Sequence, residues 1–441
     1  MTKELVELSR ATPANPLPGW GPSEYTNWMD EQMSWKRTCY IGDWSFLPAL
    51  KVEGPDALKL FSDFTVNTFE RFDIGQAKHA IQCNQDGKVI SEGILLRLAE
   101  AEFCIESLPA LYFGYRAAEG KYDVKVTYVD WFFYQIQGPN ALELVEKLTG
   151  ESLRDVKFMR FKQASVGGHQ VLALRQGMSG ELGGFELQGP AGAAAADVRN
   201  LVLNLGKEVG IRQLGSRSAM INHLEAWYPT VNQHYLPAVF GDEMSKFRDY
   251  MRSSTPVSQG LPESRLIYLS RHAAPRNVSG SYEAKDISEY YRTPVELGWR
   301  KNIKFDHQFL GRAALEAEIA HPKRVGVTLE FNPDDIVSVY ASFFKEGEHY
   351  DFMDFPHNQR SAMHASKILK SEKLVGCSTM PAYSYQFRKM LSISCVDVNC
   401  AGDGEDVGVI WGEPGHLQLP LRAKVRSAPY KKDNRRGALP A

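Results

Sequence analysis

The chain is short of anything that pushes it in one chemical direction. Its 441 residues carry 51 Lys and Arg against 53 Asp and Glu, a formal net charge of −2. The basic excess that supplies most nucleic-acid affinity is missing. No apolar run approaches the ~20 residues that a membrane helix needs, and Gly93–Leu96 is typical of the longest. Met1–Arg10 holds two Glu, a Lys and an Arg with no apolar block behind it, which argues against a secretory leader. Cysteine is scarce and scattered: Cys39, Cys83, Cys104, Cys377, Cys395 and Cys400, with no CxxC and no His at metal spacing beside the nearest pair. These read as buried free thiols in a reducing cytoplasm, not as disulfides or zinc ligands. GxxxxGK[ST], GxSxG, HExxH and GxGxxG are all absent, which counts against the common NTPases, α/β-hydrolases, zincins and dinucleotide enzymes. The 11 histidines form no compact cluster, and no metal site is expected. His349 and His357, beside Asp351 and Asp354, read as a solvated loop. The one basic cluster, Lys431, Lys432, Arg435 and Arg436, reads as a solvated tail.

What remains is ordinary globular material, 43% hydrophobic and 24% charged, long enough for two or three domains at roughly 150 residues each. Residues 1–26 read as an extended arm, because Ala11–Gly21 is rich in Pro and Gly. A helix is expected over Asn27–Trp35. Beyond it a unit of strand, Gly-Pro and helix occurs three times, at Val52-Glu53-Gly54-Pro55, Ile136-Gln137-Gly138-Pro139 and Leu187-Gln188-Gly189-Pro190. Proline suits the first helical turn, and Asn140 is a plausible cap for the second helix. Three copies predict related sheet-plus-helix modules around a common centre. After His321-Pro322-Lys323-Arg324 the chain turns strand-rich, with strands expected at Val325–Phe331, Ile336–Phe344, Leu391–Val398 and Val407–Trp411. The fold class is therefore α+β: a large domain over 27–324 and a smaller β-rich domain over 325–441.

Three segments carry chemical information. Gly75–Leu95 reads as a β-hairpin turning at Asn84–Gly87, and its return strand places Glu92 among apolar neighbours. Such a carboxylate is either a satisfied core group or a positioned acid. Gly177–Leu187 sets four glycines before a strand with Glu186 between apolar residues. Gly215-Ser216-Arg217, with Leu224-Glu225-Ala226 behind it, puts an Arg at a helix start.

Taken in order, these segments resemble the folate-binding aminomethyltransferase (glycine-cleavage T-protein) superfamily. That family has a Gly-Gln-x-x-Tyr strand leading through Gly-Gly-Ile-x-Asp-Asp, then Tyr-Thr-Gly-Glu-x-Gly-Phe-Glu, then Gly-x-Arg near Leu-Glu-Ala-Gly. The family's Pro-x-Glu-x-Gly-Trp and Phe-Ile-Gly-Arg-Glu-Ala-Leu are matched by Pro294–Trp299 and Phe309–Leu315. The likeness runs from about Trp28 to Leu315, and the β-rich tail resembles the family's C-terminal barrel. Within the superfamily the chain is most similar to tetrahydrofolate-dependent aromatic O-demethylases acting on methoxybenzoates such as vanillate and 3-O-methylgallate. Asn27-Trp28 with Trp35, Ile287–Tyr291, Lys304–His307 and Val337–Phe344 carry that likeness.

The resemblance implies a cytoplasmic methyltransferase that moves a methyl group from a methoxylated aromatic acid to N5 of tetrahydrofolate. It implies small-molecule partners only, with no nucleic acid, membrane or obligate protein partner. Glu186 aligns with the family's pterin-binding glutamate, and a carboxylate can accept two parallel hydrogen bonds from the pterin edge. Arg217 aligns with the folate-contacting arginine, Glu92 with the acid near N5, and His79 replaces a pterin-side Tyr. Glu92 and His79 are thus the catalytic candidates, with Glu186, Arg217 and Tyr228 as folate-binding candidates. Leu47, Leu108 and Ala219 stand where the methoxybenzoate demethylases have polar substrate residues, which points to a more apolar donor such as a chlorinated methoxybenzoate of the dicamba type. His234, Tyr235, Arg271 and His272 are candidate partners for a substrate carboxylate. Two other readings stay open: another folate-dependent transferase with an aminomethyl or sulfonium donor, and a folate-binding module without catalysis.

Overall fold

A computed structural model describes residues 2–11, 21–274 and 276–439. The chain opens with α1 (Thr2–Ala11), α2 (Trp28–Arg37) and β1 (Cys39–Asp43). Residues 2–11 are thus helical and not extended, with Val6 and Ser9 buried. The Ser9 hydroxyl donates to the Arg276 carbonyl, and Arg10 binds the Gly280 carbonyl at 2.9 Å. These long-range bonds give a short helix the tertiary support it needs. The Pro- and Gly-rich stretch 12–20 lies outside the described residues.

Two successive stretches then follow one topology. The first is β2 (Ala49–Glu53), α3 (Ala57–Phe64), β3 (Ala77–Cys83), β4 (Val89–Ala99), β5 (Glu102–Glu106), α4 (Leu108–Ala118) and β6 (Lys125–Val129). The second is β7 (Trp131–Gln137), α5 (Ala141–Thr149), β8 (Phe161–Val166), β9 (His169–Arg175), β10 (Phe185–Pro190), α6 (Ala193–Gly206) and β11 (Ile211–Gln213). The sheets run β3-β4-β5-β2-β6 and β8-β9-β10-β7-β1-β11, so the second is the first with β1 inserted beside its last strand. All three Gly-Pro units are strand-to-helix junctions, as their sequence predicts. Two of them are equivalent: Gly54 and Gly138 have φ of +135° and +124°, and a Cβ on either would lie 2.5 and 2.7 Å from the carbonyls of Asp123 and Thr38. Only glycine allows that approach. The third unit starts the second helix of its copy, and its counterpart in the first copy is Ser107-Leu108-Pro109, with Pro near the start of α4. Helix faces follow the 3.6 period: Ala57, Leu60 and Phe61 on α3, and Ala141, Leu144, Val145 and Leu148 on α5, are buried against their sheets. Each large side chain so covered contributes about 1.5–3 kcal/mol. Asn140 makes no side-chain cap; its amide donates to the Val209 carbonyl at 3.0 Å and ties α5 to the end of the unit.

Next come α7 (Ser216–Glu225), α8 (Ser245–Arg252), α9 (Thr255–Ser258), α10 (Glu263–Ser270), β12 (Val278–Ser279) and α11 (Arg312–Ala320). Helix α7 is buried on every side from Ser218 to Glu225. Glu225 accepts from the Trp35 indole at 2.9 Å and from the Ser384 hydroxyl, so this motif glutamate fastens α2, α7 and the C-terminal barrel together.

The C-terminal unit contains β13 (Arg324–Phe331), α12 (Pro333–Ser342), β14 (Met363–Lys370), β15 (Lys373–Ser384), β16 (Lys389–Asp397), β17 (Asp406–Trp411) and β18 (Leu419–Arg426). The order β14-β15-β16-β13-β18-β17 closes on itself through β14–β17 pairing, a six-stranded barrel with β12 added at β14. Closure removes the exposed edges. The strand expected over Ile336–Phe344 is instead helix α12. Pro333 takes its first turn, the Asn332 side chain accepts from the backbone of Asp334 and Asp335, and Ile336 and Val339 are buried at helical spacing. His357 is buried rather than solvated, with Nε2 3.1 Å from the Ser216 carbonyl.

The expected solvated tail is also corrected. Beyond Arg426 the chain leaves the barrel and lies across the loop before β10. Lys431 is 6% exposed, pairs with Glu181 at 2.6 Å and donates to the Ser179 carbonyl. Arg435 donates to the Gly177 carbonyl at 3.0 Å, and Arg175 holds the carbonyls of Arg435 and Gly437. Carbonyls at a glycine-rich loop offer the acceptors that draw a basic segment onto the protein. All six cysteines are free and buried. No described helix is long and apolar enough to cross a membrane.

Candidate active site

A cavity of about 940 Å³ lies among the two sheets, α7, the 297–304 segment and the C-terminal tail. Its first wall is built by a run of glutamines around one carboxylate. Glu186 on β10 is the register partner of Gln135 on β7, and strand alternation puts Gln188 on the same face as Glu186. Gln176 donates to Glu186 Oε2 at 2.7 Å and Gln188 to Oε1 at 2.7 Å, with Gln135 also bonded to the carboxyl. Glu186 is 2% exposed. Burial pushes its carboxyl up, and the three amides oppose that push. The Gln188 amide also reaches Glu106 Oε1 at 2.6 Å, across from the end of β5. Glu106 is pushed well above the carboxylate range, by burial first and then by the charge of Glu186. Two buried carboxyls sharing one amide do not both ionise easily, and the larger push falls on Glu106.

The second wall belongs to the β3–β4 hairpin, which turns at Asn84–Gly87 as expected. His79 and Glu92 are diagonal neighbours on one face, and His79 Nε2 lies 2.7 Å from Glu92 Oε2. The Tyr228 hydroxyl donates to the same oxygen at 2.8 Å. Asn302 donates to His79 Nδ1 at 3.1 Å, which leaves the ring proton on Nε2 facing Glu92. Trp299 meets His79 edge-on at 4.9 Å and fixes the ring plane. Burial and the neighbouring Glu92 push the Tyr228 hydroxyl well up, so it stays a donor. Lys78, Arg276, Lys301, Lys304, Arg435 and Arg436 also line the cavity.

The structure thus brings Glu92, His79, Glu186, Tyr228, Leu47 and His272 to one cavity. It does not bring Arg217. That side chain pairs with Glu24 at 2.6 Å and donates to the Phe355 carbonyl, outside the cavity wall, because α7 presents it to the N-terminal segment and a barrel loop. Leu108 packs in the core of the first unit and Ala219 in the core under α7. Leu47 alone of the three apolar substrate candidates is a wall residue. His234 and Tyr235 lie behind the wall: His234 Nδ1 accepts from the Thr230 backbone at 2.9 Å, and Tyr235 packs edge-on to Trp299. Arg271 is not a wall residue either. Glu106, Gln135, Gln176, Gln188, His223, Asn302 and Trp299 went unread. A signal existed for some: polar Gln135, Gln137 and Gln188 alternate inside strands of otherwise apolar residues. Trp299 closes a quoted motif.

Cavity, walls and sheet duplication describe a two-walled ligand site, and the comparisons supply its family. The family model described as the GCVT N-terminal domain matches residues 17–240. A syringate O-demethylase of Sphingobium sp. (strain NBRC 103272 / SYK-6) is 31% identical over 97% of this chain and 94% of its own length. A sesamin methylene transferase of Sinomonas sp. (strain No.22) is 32% identical over 93% and 90%. The crystal structure of the glycine cleavage system aminomethyltransferase T from Bartonella henselae matches 98% of this chain and 97% of its own, with a TM-score of 0.66 and 16% identity, which bears on the fold alone. The chain belongs to the GCVT family. It is a methyltransferase-class enzyme of that family, with tetrahydrofolate as its co-substrate.

Proposed function

We propose that the chain transfers the methyl group of a methoxylated aromatic acid to N5 of tetrahydrofolate, leaving 5-methyltetrahydrofolate and a phenol. The observation that carries the reading is the pairing, in one cavity, of the glutamine-held Glu186 with the His79–Glu92–Tyr228 cluster. Resemblance over nearly the full length to a syringate O-demethylase supports the choice of donor. The donor set suits a reduced pterin. Gln176, Gln188 and Gln135 take three of the roughly four acceptor sites of the Glu186 carboxylate, so pairing with two parallel N–H groups would require one of these amides to turn away. The volume, at the upper end of the range for small-molecule sites, leaves room for a pterin and an aryl ring together.

Tetrahydrofolate, when bound, supplies the N5 lone pair that receives the methyl group. The balance is simple: the ether O–CH3 bond breaks, an N5–CH3 bond forms, and the N5 proton ends on the phenol oxygen. The protein's tasks are to align the partners and to handle that proton. Glu92 Oε2 accepts from both His79 Nε2–H and the Tyr228 hydroxyl, a carboxylate placed to receive a proton, and Asn302 keeps His79 in the tautomer that points a proton at Glu92. The docked tail adds Asp433, Arg435 and Arg436 to the wall. The basic wall groups and His272 suit the carboxylates of donor and folate.

The chlorinated donor rested on Leu47, Leu108 and Ala219. With only Leu47 on the wall, the apolar argument for dicamba loses two of its three supports. A second donor class merits the same assay, since the sesamin methylene transferase is as similar as the demethylase. The test is incubation with tetrahydrofolate and a panel of methoxyarenes, methylenedioxyarenes, aminomethyl and sulfonium donors, followed by mass spectrometry of the folate. 5-Methyltetrahydrofolate from methoxyarenes supports the reading. Binding of folate without transfer from any donor would leave a carrier.

A further inference from the structure

The loop that leads into β10 is held from outside itself. Residues 177–184 carry four glycines and lie in no helix or strand. Gly180 and Gly183 sit at φ of +76° and +81°. Glycine loses more conformational freedom on ordering than any other residue, so such a loop is costly to fix. Its acceptors go to the far end of the chain. Lys431 takes the Ser179 carbonyl at 2.8 Å and the Glu181 carboxylate at 2.6 Å. The Asn434 amide donates to the Gly180 carbonyl at 3.0 Å, and Arg435 to the Gly177 carbonyl at 3.0 Å. The tail is anchored in return: the Lys431 amide donates to the Glu225 carbonyl at 3.0 Å, and Arg175 holds the carbonyls of Arg435 and Gly437. These bonds converge on Gln176. Both of its neighbours, Arg175 and Gly177, are held by the tail, and its side chain donates to Glu186 Oε2 at 2.7 Å. Gln137 clamps the two feet of the loop, donating to the Gln176 carbonyl at 3.0 Å and the Phe185 carbonyl at 3.3 Å.

Resting on the placement of the pterin edge at Glu186, we infer that residues 431–437 form a strap and that Lys431 is a positioning residue: by ordering the glycine-rich loop they set Gln176, and through it the Glu186 carboxylate, before folate arrives. Neither Lys431 nor Glu181 nor Asn434 is a wall residue, so their effect on the ligand runs through the loop and not through contact. The loop is ordered when the protein folds rather than at each binding event, and affinity rises without a new bond to the ligand. The coupling is reciprocal. A ligand that favours the ordered carboxylate tightens the strap by the same factor that the strap tightens the ligand.

The experiment measures tetrahydrofolate affinity by anaerobic calorimetry in the wild type, Lys431→Met, Gln176→Ala and the double variant. Lys431→Met is expected to raise Kd by about tenfold, an order-of-magnitude expectation from loosening one hydrogen bond to the carboxylate. In the Gln176→Ala background the same substitution is expected to add less than about twofold, because the link it acts through is gone. The wild-type protein supplies a second reading that needs no variant. On adding tetrahydrofolate, hydrogen exchange at the Lys431 and Asn434 amides, which bond the Glu225 and Gly180 carbonyls, is expected to slow by about tenfold. Exchange there that ignores folate overturns the inference, so a Lys431→Met chain that fails to fold does not protect it. A Kd within about twofold of wild type in folded Lys431→Met overturns it, as does an equal loss with and without Gln176. Undiminished affinity in Glu186→Ala has a different meaning: it defeats the placement of the pterin itself, and the inference with it.

Discussion

Replacing Glu186 with Ala removes the acceptor around which Gln135, Gln176 and Gln188 are arranged. Two consequences have to be separated. The orphaned amides weaken the free protein and the complex alike, so that loss appears in the melting temperature and largely cancels from binding. What binding loses is a pair of hydrogen bonds to a buried ionised acceptor. Hydrogen bonds to charged groups are worth about 1.5–3 kcal/mol each, and truncating one side of such a pair typically costs 2–5 kcal/mol. A loss of about 2–4 kcal/mol corresponds to a Kd for tetrahydrofolate raised by about 30- to 700-fold, at 1.4 kcal/mol per decade. Anaerobic isothermal titration calorimetry reads this directly. Glu186→Gln keeps the size and one acceptor, and an intermediate loss of about tenfold is expected. Because burial raises the Glu186 carboxyl, affinity should also fall as pH drops from neutral through that raised value, as the proton competes with the ligand. A change under threefold for Glu186→Ala would refute the placement of the pterin edge on this wall.

Other outcomes test the rest of the site. His79→Gln should lower the single-turnover rate of methyl transfer by about 10²–10⁴ while the folate Kd stays within a few-fold; equal loss in both would reduce His79 to a packing role. Glu106 carries a raised pKa, so its stabilising contribution is complete below its unfolded value near 4.3 and is lost as pH rises through the folded value. The melting temperature of Glu106→Gln relative to wild type should therefore climb with pH above about 4, and a flat difference would contradict the buried-pair assignment. Lys431→Met breaks the Lys431–Glu181 pair and should destabilise by about 3 kcal/mol, with proteolytic release of the segment after Arg426. Asn332→Ala deletes the cap of α12 and should cost about 1 kcal/mol, read as a lower melting temperature.

The elements legible in the chain were those whose signals are local. Alternation in Gly75–Leu95 marks the hairpin, and Glu92 stands out because a carboxylate breaks an apolar strand. Helices α3, α5 and α6 follow turn chemistry and the 3.6 period. Errors arose where tertiary contacts override composition. Ile336–Phe344 is β-branched and aromatic enough to read as a strand, yet Asn332 and Pro333 set a helix start whose buried side chains recur by threes. Arg217 aligned with a ligand-binding residue, but Glu24 and the Phe355 carbonyl, far away in sequence, claim its guanidinium. The basic tail looked solvated because its acceptors, the Gly177 and Ser179 carbonyls and Glu181, lie some 250 residues earlier.

The cavity follows from the duplication more than from any single motif. Strands β5 and β10 occupy the same place in the two copies, fourth along the chain and next to the first strand of each copy. Their acidic residues meet at the Gln188 amide, which spans Glu106 from one copy and Glu186 from the other. Facing sheets of like topology leave a wall on each side with equivalent strands but different side chains. The second copy has filled its wall with glutamines that hold one carboxylate, the surface we propose for the pterin. The first has placed His79 and Glu92 on its hairpin, a pair suited to proton handling. On the proposed assignment, binding and chemistry fall to residues of different copies, with His79 and Glu92 on one hairpin and Glu186 on a strand of the other copy. That separation is the structural reason to expect Glu186 variants to lose folate affinity and His79 variants to lose transfer rate, each without the other.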